Sequence, residues 1–194
     1  MSTPDRRILI ADSAIALVAS SGLRGLTHRA VDSAAGLPAG STSYYFRTRT
    51  ALIDACYERL AALDLADFDS DGGALPPTGR EAAAGALAAL LHRWLTVGRE
   101  RQLARWELTL EAARNPGLGP GLHRAGRASR DRAAAVLAAL GAKDPGASAD
   151  LLVAWTEGLL FDRLAGATAR TRPAPDPAEL AAVTRRMLDA ALDG

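Results

Sequence analysis

Residues 26–53 read LTHRAVDSAAGLPAGSTSYYFRTRTALI, and this stretch decides how the chain folds. It contains two short segments of helical character on either side of Gly36. Thr27 is a suitable N-cap for the first segment, and Gly36 supplies the backbone freedom that a sharp reversal between helices needs. The second segment is expected over Pro38–Tyr45, because a proline in the first helical turn gives up only an amide with no partner inside the helix. The stretch therefore predicts a helix-turn-helix.

Apolar spacing and helix breakers extend this interpretation over the rest of the chain. A first helix is expected over Asp5–Ser21 with Gly22 as its stop, and a fourth helix over Thr48–Asp69. Clusters of glycine and proline then separate five further expected helices, Thr78–Val97, Arg99–Arg114, Gly121–Leu140, Ala147–Ala169 and Pro177–Leu192. We predict an all-α protein of about nine helices. An N-terminal three-helix helix-turn-helix domain is expected over residues 1–47, and a larger helical ligand-binding and dimerisation domain over residues 48–194.

Composition limits the classes of function that the chain can have. Alanine and leucine dominate and 48% of the residues are apolar, which favours a helical protein with a substantial core. The formal net charge is only +1, but residues 1–50 carry six arginines against three aspartates, so positive charge is concentrated at the N-terminal end. Cys56 is the single cysteine, which rules out a disulfide within the chain. No apolar run approaches the roughly 20 residues of a membrane span, so a cytoplasmic protein without a membrane partner is expected.

The stretch closely resembles the DNA-binding region of the tetracycline-repressor (TetR) family of bacterial transcriptional regulators. The resemblance covers about the first quarter of the chain and is carried by Leu26–Arg29, Ala35–Ser41, Tyr44–Phe46, Arg49 and Leu52. It implies an all-helical homodimer whose N-terminal domains bind DNA. The C-terminal domain of such a protein holds the dimer interface and commonly a small-molecule inducer, so the resemblance implies a repressor that leaves a near-palindromic operator when the inducer binds.

The resemblance also implies which side chains contact DNA. The second helix of the motif would present its N-terminal residues to the major groove, where the positive end of the helix also favours phosphate. Ser43 stands where many members have an aromatic residue, and Arg49 where many have lysine. Phe46 is expected to pack inward, whereas His28, Arg6 and Arg7 either contact DNA or are merely solvated. The implied DNA-binding residues are Thr27, Arg29, Pro38, Ala39, Gly40, Ser41, Ser43, Tyr44, Tyr45 and Arg49.

The C-terminal region offers weaker indications of a ligand site. Trp94, Trp106 and Trp155 each lie among leucines at helical spacing, which marks inward-facing helix surfaces that could line an apolar pocket. Glu107 and Glu111 are one helical turn apart, so they either orient a cationic inducer or form a solvent-facing pair. No cofactor and no metal are expected.

Two other classes of function remain open on these residues. A helical enzyme acting on a small molecule is one alternative, although no metalloprotease motif, glycine-rich phosphate loop or nucleophile elbow occurs. A nonspecific architectural DNA binder is the other, and it would differ in lacking any preference for one sequence over random DNA. The residues favour a ligand-responsive DNA-binding regulator that is not an enzyme.

Overall fold

The computed structural model of the chain describes residues 3–70 and 79–193. Regular structure within these ranges is helical and includes no strand, so the predicted all-α class is confirmed. The break predicted around Gly72–Pro77 and the expected start of a helix at Thr78 lie outside the described residues. The described part of the chain forms nine α-helices: α1 (Thr3–Gly25), α2 (His28–Ala34), α3 (Ser41–Tyr45), α4 (Arg49–Ser70), α5 (Arg80–Leu95), α6 (Arg99–Arg114), α7 (Gly119–Ala139), α8 (Pro145–Leu164) and α9 (Pro177–Asp193).

Helix α1 continues past its predicted end. Gly22 was expected to stop the helix, and it does leave the helical conformation, with φ 65° and ψ −178°. Helical hydrogen bonding resumes after this kink and continues to Gly25. A positive φ costs glycine little, which is why the kink falls at this residue. The glycine therefore bends α1 where the sequence predicted that it would end the helix.

Helix α1 is also the one segment of the described chain with the length and composition of a membrane span. The span would cover Asp5–Gly25, so the expectation that no segment qualifies is wrong on that criterion. A single such helix is a weak indication, because the core helix of a soluble protein passes the same test. In this protein Ile10, Ala14 and Val18 of α1 are buried in a hydrophobic core.

The chain divides into two compact units. The first comprises Met1–Leu63 and Glu100–Gly126, and the second comprises Asp64–Arg99 and Arg127–Gly194. The first unit is built on a core that includes Ile10, Leu26, Val31, Leu52, Leu60 and Leu108. These units are defined by packing, whereas the predicted boundary between residues 47 and 48 was drawn on function. That functional division stays a prediction.

Helices α5, α8 and α9 pack together in the second unit. Ala84, Leu137, Leu152 and Leu188 belong to its hydrophobic core. The buried hydroxyl of Thr184 in α9 donates to the carbonyl oxygen of Ala84 in α5 at 2.9 Å. Arg163 of α8 is 9% exposed and pairs with Glu179 of α9. The last two helices are therefore joined to each other and to α5 within one unit.

Candidate nucleic-acid interface

The turn between α2 and α3 has the local structure that the sequence predicted. Thr27 caps α2, with its hydroxyl oxygen accepting a hydrogen bond from the amide of Ala30 at 3.1 Å. Helix α2 ends at Ala34, and Gly36 has a φ of 63°, in the left-handed region that favours glycine. The cap and the glycine together set the length of α2 and reverse the chain after it.

Helix α3 begins three residues later than predicted. The sequence placed Pro38 in its first turn, but the helix covers only Ser41–Tyr45, and Gly40 adopts a φ of 90° just before it. Gly40 has no side chain with which to cap the helix. The Pro38 carbonyl oxygen instead accepts from the Ser41 amide at 3.1 Å and from the Ser41 hydroxyl at 2.6 Å. Residues 38–40 therefore form a turn that leads into α3.

A buried carboxylate from α2 performs the capping that Gly40 cannot. One oxygen of Asp32 accepts from the amide of Thr42 at 2.7 Å and from its hydroxyl at 2.6 Å. The other oxygen accepts from the amide of Gly40 at 2.8 Å. Asp32 is only 4% exposed and Thr42 is fully buried. The carboxylate thus satisfies two of the amides that the start of a helix leaves unpaired.

The hydrogen bonds outweigh the cost of burying this charge. Burial alone would raise the pKa of Asp32, because the interior disfavours the ionised form. The bonds from Thr42 and Gly40, together with the positive charge of His28, hold the pKa below its ordinary value. Asp32 is therefore ionised near neutral pH, and its charge faces the positive end of α3. The two amides that it binds are not available to a DNA phosphate.

The C-terminal end of α3 is held by two basic side chains. His28, one turn before Asp32 on α2, donates from Nε2 to the carbonyl oxygen of Phe46 at 2.7 Å. The guanidinium of Arg7 donates to the carbonyl oxygen of Tyr45 at 3.1 Å and lies over the Phe46 ring, 4.4 Å from its centre. Phe46 is buried, as predicted. His28 and Arg7, whose roles the sequence left open, thus fix the end of the helix.

Most of the predicted DNA-binding residues form an exposed surface around α2 and α3. Tyr44 is 79% exposed, and its ring meets that of Tyr45 edge to face with the centres 5.1 Å apart. Tyr45 and Ser41 are partly buried. The remaining predicted residues on these two elements are exposed, namely Thr27, Arg29, Pro38, Ala39, Gly40 and Ser43.

Arg49 was predicted to contact DNA, and in the structure it also forms hydrogen bonds within the protein. Its guanidinium donates to the carbonyl oxygen of Leu23 at 2.7 Å and also to that of Leu26. These carbonyls lie at the junction of α1 and α2, so Arg49 at the start of α4 ties that junction down. Its contact with DNA stays a prediction.

The predicted ligand residues are divided between the two compact units. Trp106, Glu107 and Glu111 lie on α6 in the first unit, where Glu107 is exposed and the other two are partly buried. Trp94 and Trp155 belong to the second unit. Trp94 is buried there, donates from Nε1 to Asp67 at 2.8 Å and packs edge to face on Phe68. Trp155 is 38% exposed on α8, so the inward-facing position predicted for it is wrong in this chain.

Two residues of the first unit each hold a buried side-chain atom for which the described residues supply no hydrogen-bond partner, and neither residue is an arginine. The atoms are Oδ1 of Asp54 on α4 and Nε2 of Gln102 on α6. Burial raises the pKa of the neighbouring Tyr57 to about 12, with a contribution from the negative charges of Asp54 and Glu111. The Tyr57 hydroxyl donates to the carbonyl oxygen of Leu108 at 2.7 Å. Helical spacing did not point to Asp54 or Gln102.

A separate cleft lies in the second unit between α5 and the start of α9. It has a volume of about 540 Å³ and includes none of the five predicted ligand residues in its lining. Most of the lining is small and apolar, with polar groups at His92, Arg93 and Thr96.

The described part of the chain holds neither a cluster of potential metal ligands nor a reactive cysteine. No group of three or more His, Cys, Asp or Glu residues is placed there to hold a metal ion. Cys56 is buried, and desolvation, aided by the charge of Asp12, raises the pKa of its thiol to about 12. Such a thiol is unreactive at neutral pH.

Comparisons with known proteins agree with the class that this geometry defines, a helical regulator with an N-terminal helix-turn-helix. Residues 78–194 match the family profile described as Tetracyclin repressor-like, C-terminal domain. A TetR-family structure from Streptomyces coelicolor is 31% identical, with a TM-score of 0.74 over 95% of this chain and 98% of that one. The multidrug binding protein EbrR, complexed with malachite green, is 30% identical, with a TM-score of 0.69 over 95% and 98% of the two chains.

Two further comparisons concern a regulator of the same fold and the curated proteins. A transcriptional regulator from Rhodococcus is 23% identical with a TM-score of 0.76, over 100% of this chain and 97% of that one, and so shares the fold. No curated protein matches the sequence. The family match and the Streptomyces structure show that the chain belongs to the TetR family of transcriptional regulators.

Proposed function

We propose that the protein is a cytoplasmic repressor that binds a near-palindromic operator as a homodimer and leaves it when a small molecule binds. The observation that carries this proposal is the exposed surface of α2 and α3, which is held in place by hydrogen bonds with Asp32, His28 and Arg7. A helix presented in this way suits the major groove of DNA, where base edges are read.

The hydroxyl groups on this surface differ in what they can offer to DNA. The oxygen of Thr27 already accepts from the Ala30 amide, so its hydroxyl hydrogen is free to donate to a phosphate. The Ser41 hydroxyl donates to Pro38, which leaves its oxygen to accept from a base amino group. Ser43 and Tyr44 are exposed and complete the surface. We therefore assign base contacts to Pro38–Ser41 and Ser43, and phosphate contacts to Thr27, Arg29, Tyr44, Tyr45 and Arg49.

The proposed dimer uses the last two helices. Leu151 and Phe161 of α8 are each 50% exposed, and Trp155 lies on the same side of the helix. Ala154 and Gly158 are exposed between them, so a second helix can approach closely. Exposed apolar side chains on a helix of small residues fit a helix-packing interface. In a two-fold dimer the DNA-binding helices repeat at about one turn of DNA, roughly 34–36 Å, or at a multiple of that distance.

Sedimentation of a surface variant tests the dimer. Trp155→Arg places a charge in the proposed interface and should shift the protein to monomer. Val97→Arg is the matched control, because Val97 is 91% exposed in the turn between α5 and α6, outside α8. If both variants remain dimeric at micromolar concentration, the interface lies elsewhere.

Release by a small molecule is the second part of the proposal. EbrR is a multidrug binding protein, and its complexes with ethidium and malachite green support a ligand-binding role for this related chain. Trp155 belongs to the proposed dimer interface, which leaves Trp94 of the second unit and Trp106, Glu107 and Glu111 of the first unit as the predicted ligand candidates. To these we add Asp54 and Gln102, because buried polar atoms without partners are uncommon unless a ligand or water satisfies them. Helix α4 begins four residues after α3 ends, so a shift of α4 on ligand binding would reach the DNA-binding surface.

Such release requires a ligand that distinguishes two states of the protein. A compound that binds the DNA-bound and released forms equally well cannot shift the balance between them. Operator affinity measured with and without each compound of a panel tests the mechanism. An inducer raises the dissociation constant at saturation, and a panel without effect removes those compounds.

Selection of bound duplexes from a random DNA pool tests the DNA-binding role against both alternatives. A specific regulator enriches one inverted repeat. An architectural binder retains duplexes without sequence preference, and an enzyme that converts a small molecule retains none. Turnover of a bound compound would also contradict the non-enzymatic role proposed here.

A further inference from the structure

The five-residue helix α3 depends on a side chain of α2 for its position. A helix of this length is too short to be stable by itself in water. Asp32 lies eight and ten residues before the two residues that it binds, Gly40 and Thr42, so the contact joins α2 to α3 rather than serving either helix alone. It is the only side chain seen to bind the first-turn amides of α3 in the described part of the chain.

We propose that Asp32 is a positioning residue for operator recognition, which fixes the first turn of α3 in its DNA-reading geometry before DNA arrives. This inference rests on the proposed function. Thr42 is its partner on α3, through both its amide and its hydroxyl. The carboxylate is buried beneath the surface that faces DNA, so it acts through the helix and does not itself touch a base.

The position of the bonds explains why specificity should depend on them. Residues 38–40 and Ser43 flank the clamped groups at Gly40 and Thr42, so their side chains are ordered together with the turn. A surface that is already ordered loses less conformational entropy on binding. Binding to random DNA depends mainly on contacts between basic side chains and phosphates. A carboxylate buried beneath the helix makes no such contact. Loosening the turn should therefore weaken operator binding while affinity for random DNA changes little.

Three variants separate positioning from a general loss of the fold. Thr42→Val removes the hydroxyl that bonds to Asp32 and keeps the shape of the side chain, whereas Thr42→Ser retains the hydroxyl. Asp32→Asn replaces one acceptor by an NH2 group, which would face the amide of Gly40 or the Thr42 donors. Asp131→Asn removes an exposed carboxylate on α7 and is the matched control for charge.

The test measures dissociation constants for a selected operator and for a random duplex of equal length. We expect Thr42→Val and Asp32→Asn to raise the operator constant about tenfold or more, the effect of losing about 1.4 kcal/mol, while the random-duplex constant changes less than about twofold. Thr42→Ser and Asp131→Asn should stay within about twofold of the unaltered protein for both duplexes. Unchanged operator binding in Thr42→Val, or an equal loss on both duplexes in a folded Thr42→Val protein, overturns the proposal.

Amide hydrogen exchange in the DNA-free protein separates this inference from the proposed function. The amides of Thr42 and Gly40 should exchange faster in Thr42→Val and Asp32→Asn, and at the unaltered rate in Thr42→Ser. Unaltered protection in both disruptive variants contradicts the clamp, whatever the protein binds. If the protein without substitutions binds the selected operator and the random duplex equally well, the proposed function is contradicted instead. Should Asp32→Asn fail to fold, the comparison of the valine and serine variants of Thr42 decides the outcome.

Discussion

Arg49→Ala should destabilise the fold as well as remove a positive charge from the proposed DNA surface. Its guanidinium donates to the carbonyl oxygens of Leu23 and Leu26, and the bond to Leu26 is partly buried. Hydrogen bonds from a charged group contribute about 1.5–3 kcal/mol each when shielded, and much less when solvent competes. If the partly buried bond to Leu26 contributes in full and the exposed bond to Leu23 contributes little, their loss lowers the free energy of unfolding by about 2 kcal/mol. For a chain of this size, that loss lowers the melting temperature by about 4–8 °C.

Thermal and urea unfolding followed by circular dichroism measure this effect, and Arg47→Ala is the matched control. Arg47 is exposed two residues earlier and has no side-chain partner among the described residues, so its loss removes the same charge without removing those bonds. Its melting temperature should change by less than about 2 °C, because surface substitutions usually alter the free energy of unfolding by no more than about 0.5 kcal/mol. An Arg49→Ala protein as stable as the Arg47→Ala protein would refute the structural role assigned to these bonds. If that equally stable protein also lost DNA binding, Arg49 would be a phosphate contact alone.

Three other predictions concern a thiol, a turn and a carboxylate. Cys56, with a pKa raised to about 12, should remain unmodified by a thiol reagent at pH 8 in the folded protein and react fully in denaturant. Gly36→Ala should cost about 1–2 kcal/mol in urea unfolding because φ is 63°, whereas Gly85→Ala, inside α5 with open space around it, should stabilise by about 0.5–1 kcal/mol; equal effects would contradict this reasoning. The pKa of Asp32 is lower in the folded protein than its ordinary value of 3.8, so its contribution is fully present above that pH and is lost as the pH falls through the folded pKa. In urea titrations, the difference in free energy of unfolding between the unaltered protein and Asp32→Asn should therefore become smaller below about pH 4. A difference that grows as the pH falls would contradict a lowered pKa.

Local signals in the sequence were sufficient to place α2 and the turn that follows it. Thr27 caps α2 as predicted, because a cap depends on a residue only three positions away. Gly36 likewise marks the turn through its own backbone. Gly22 shows the limit of such signals, since the same residue type produced a kink there and not a helix end.

The position of α3 was harder to predict because it depends on a contact across ten residues. Pro38 is compatible with a first helical turn, and nothing in the local pattern shows that Asp32 will bind Gly40 and Thr42. A short acidic side chain on the apolar side of α2 was the available signal, because a buried carboxylate requires hydrogen-bond partners. Arg49 was assigned to phosphate by resemblance alone, and its bonds to two carbonyls emerge only from the folded chain.

The ligand residues show a second limit of helical spacing. Periodicity identified the inward face of Trp94 correctly, since this side chain is 6% exposed. It could not show that Trp94 and Trp106 belong to different compact units. It also could not identify Gln102, whose burial is a property of the neighbouring helices and not of its own.

The most direct test of the account is the affinity of the purified dimer for its selected duplex and for two altered duplexes. One altered duplex has a single half-site scrambled, and the other has half a helical turn inserted between the half-sites. If two copies of the α2–α3 surface read one face of the DNA, both alterations should weaken binding by at least about tenfold, because the second half-site is lost or turned away. Equal affinity for all three duplexes would contradict the account.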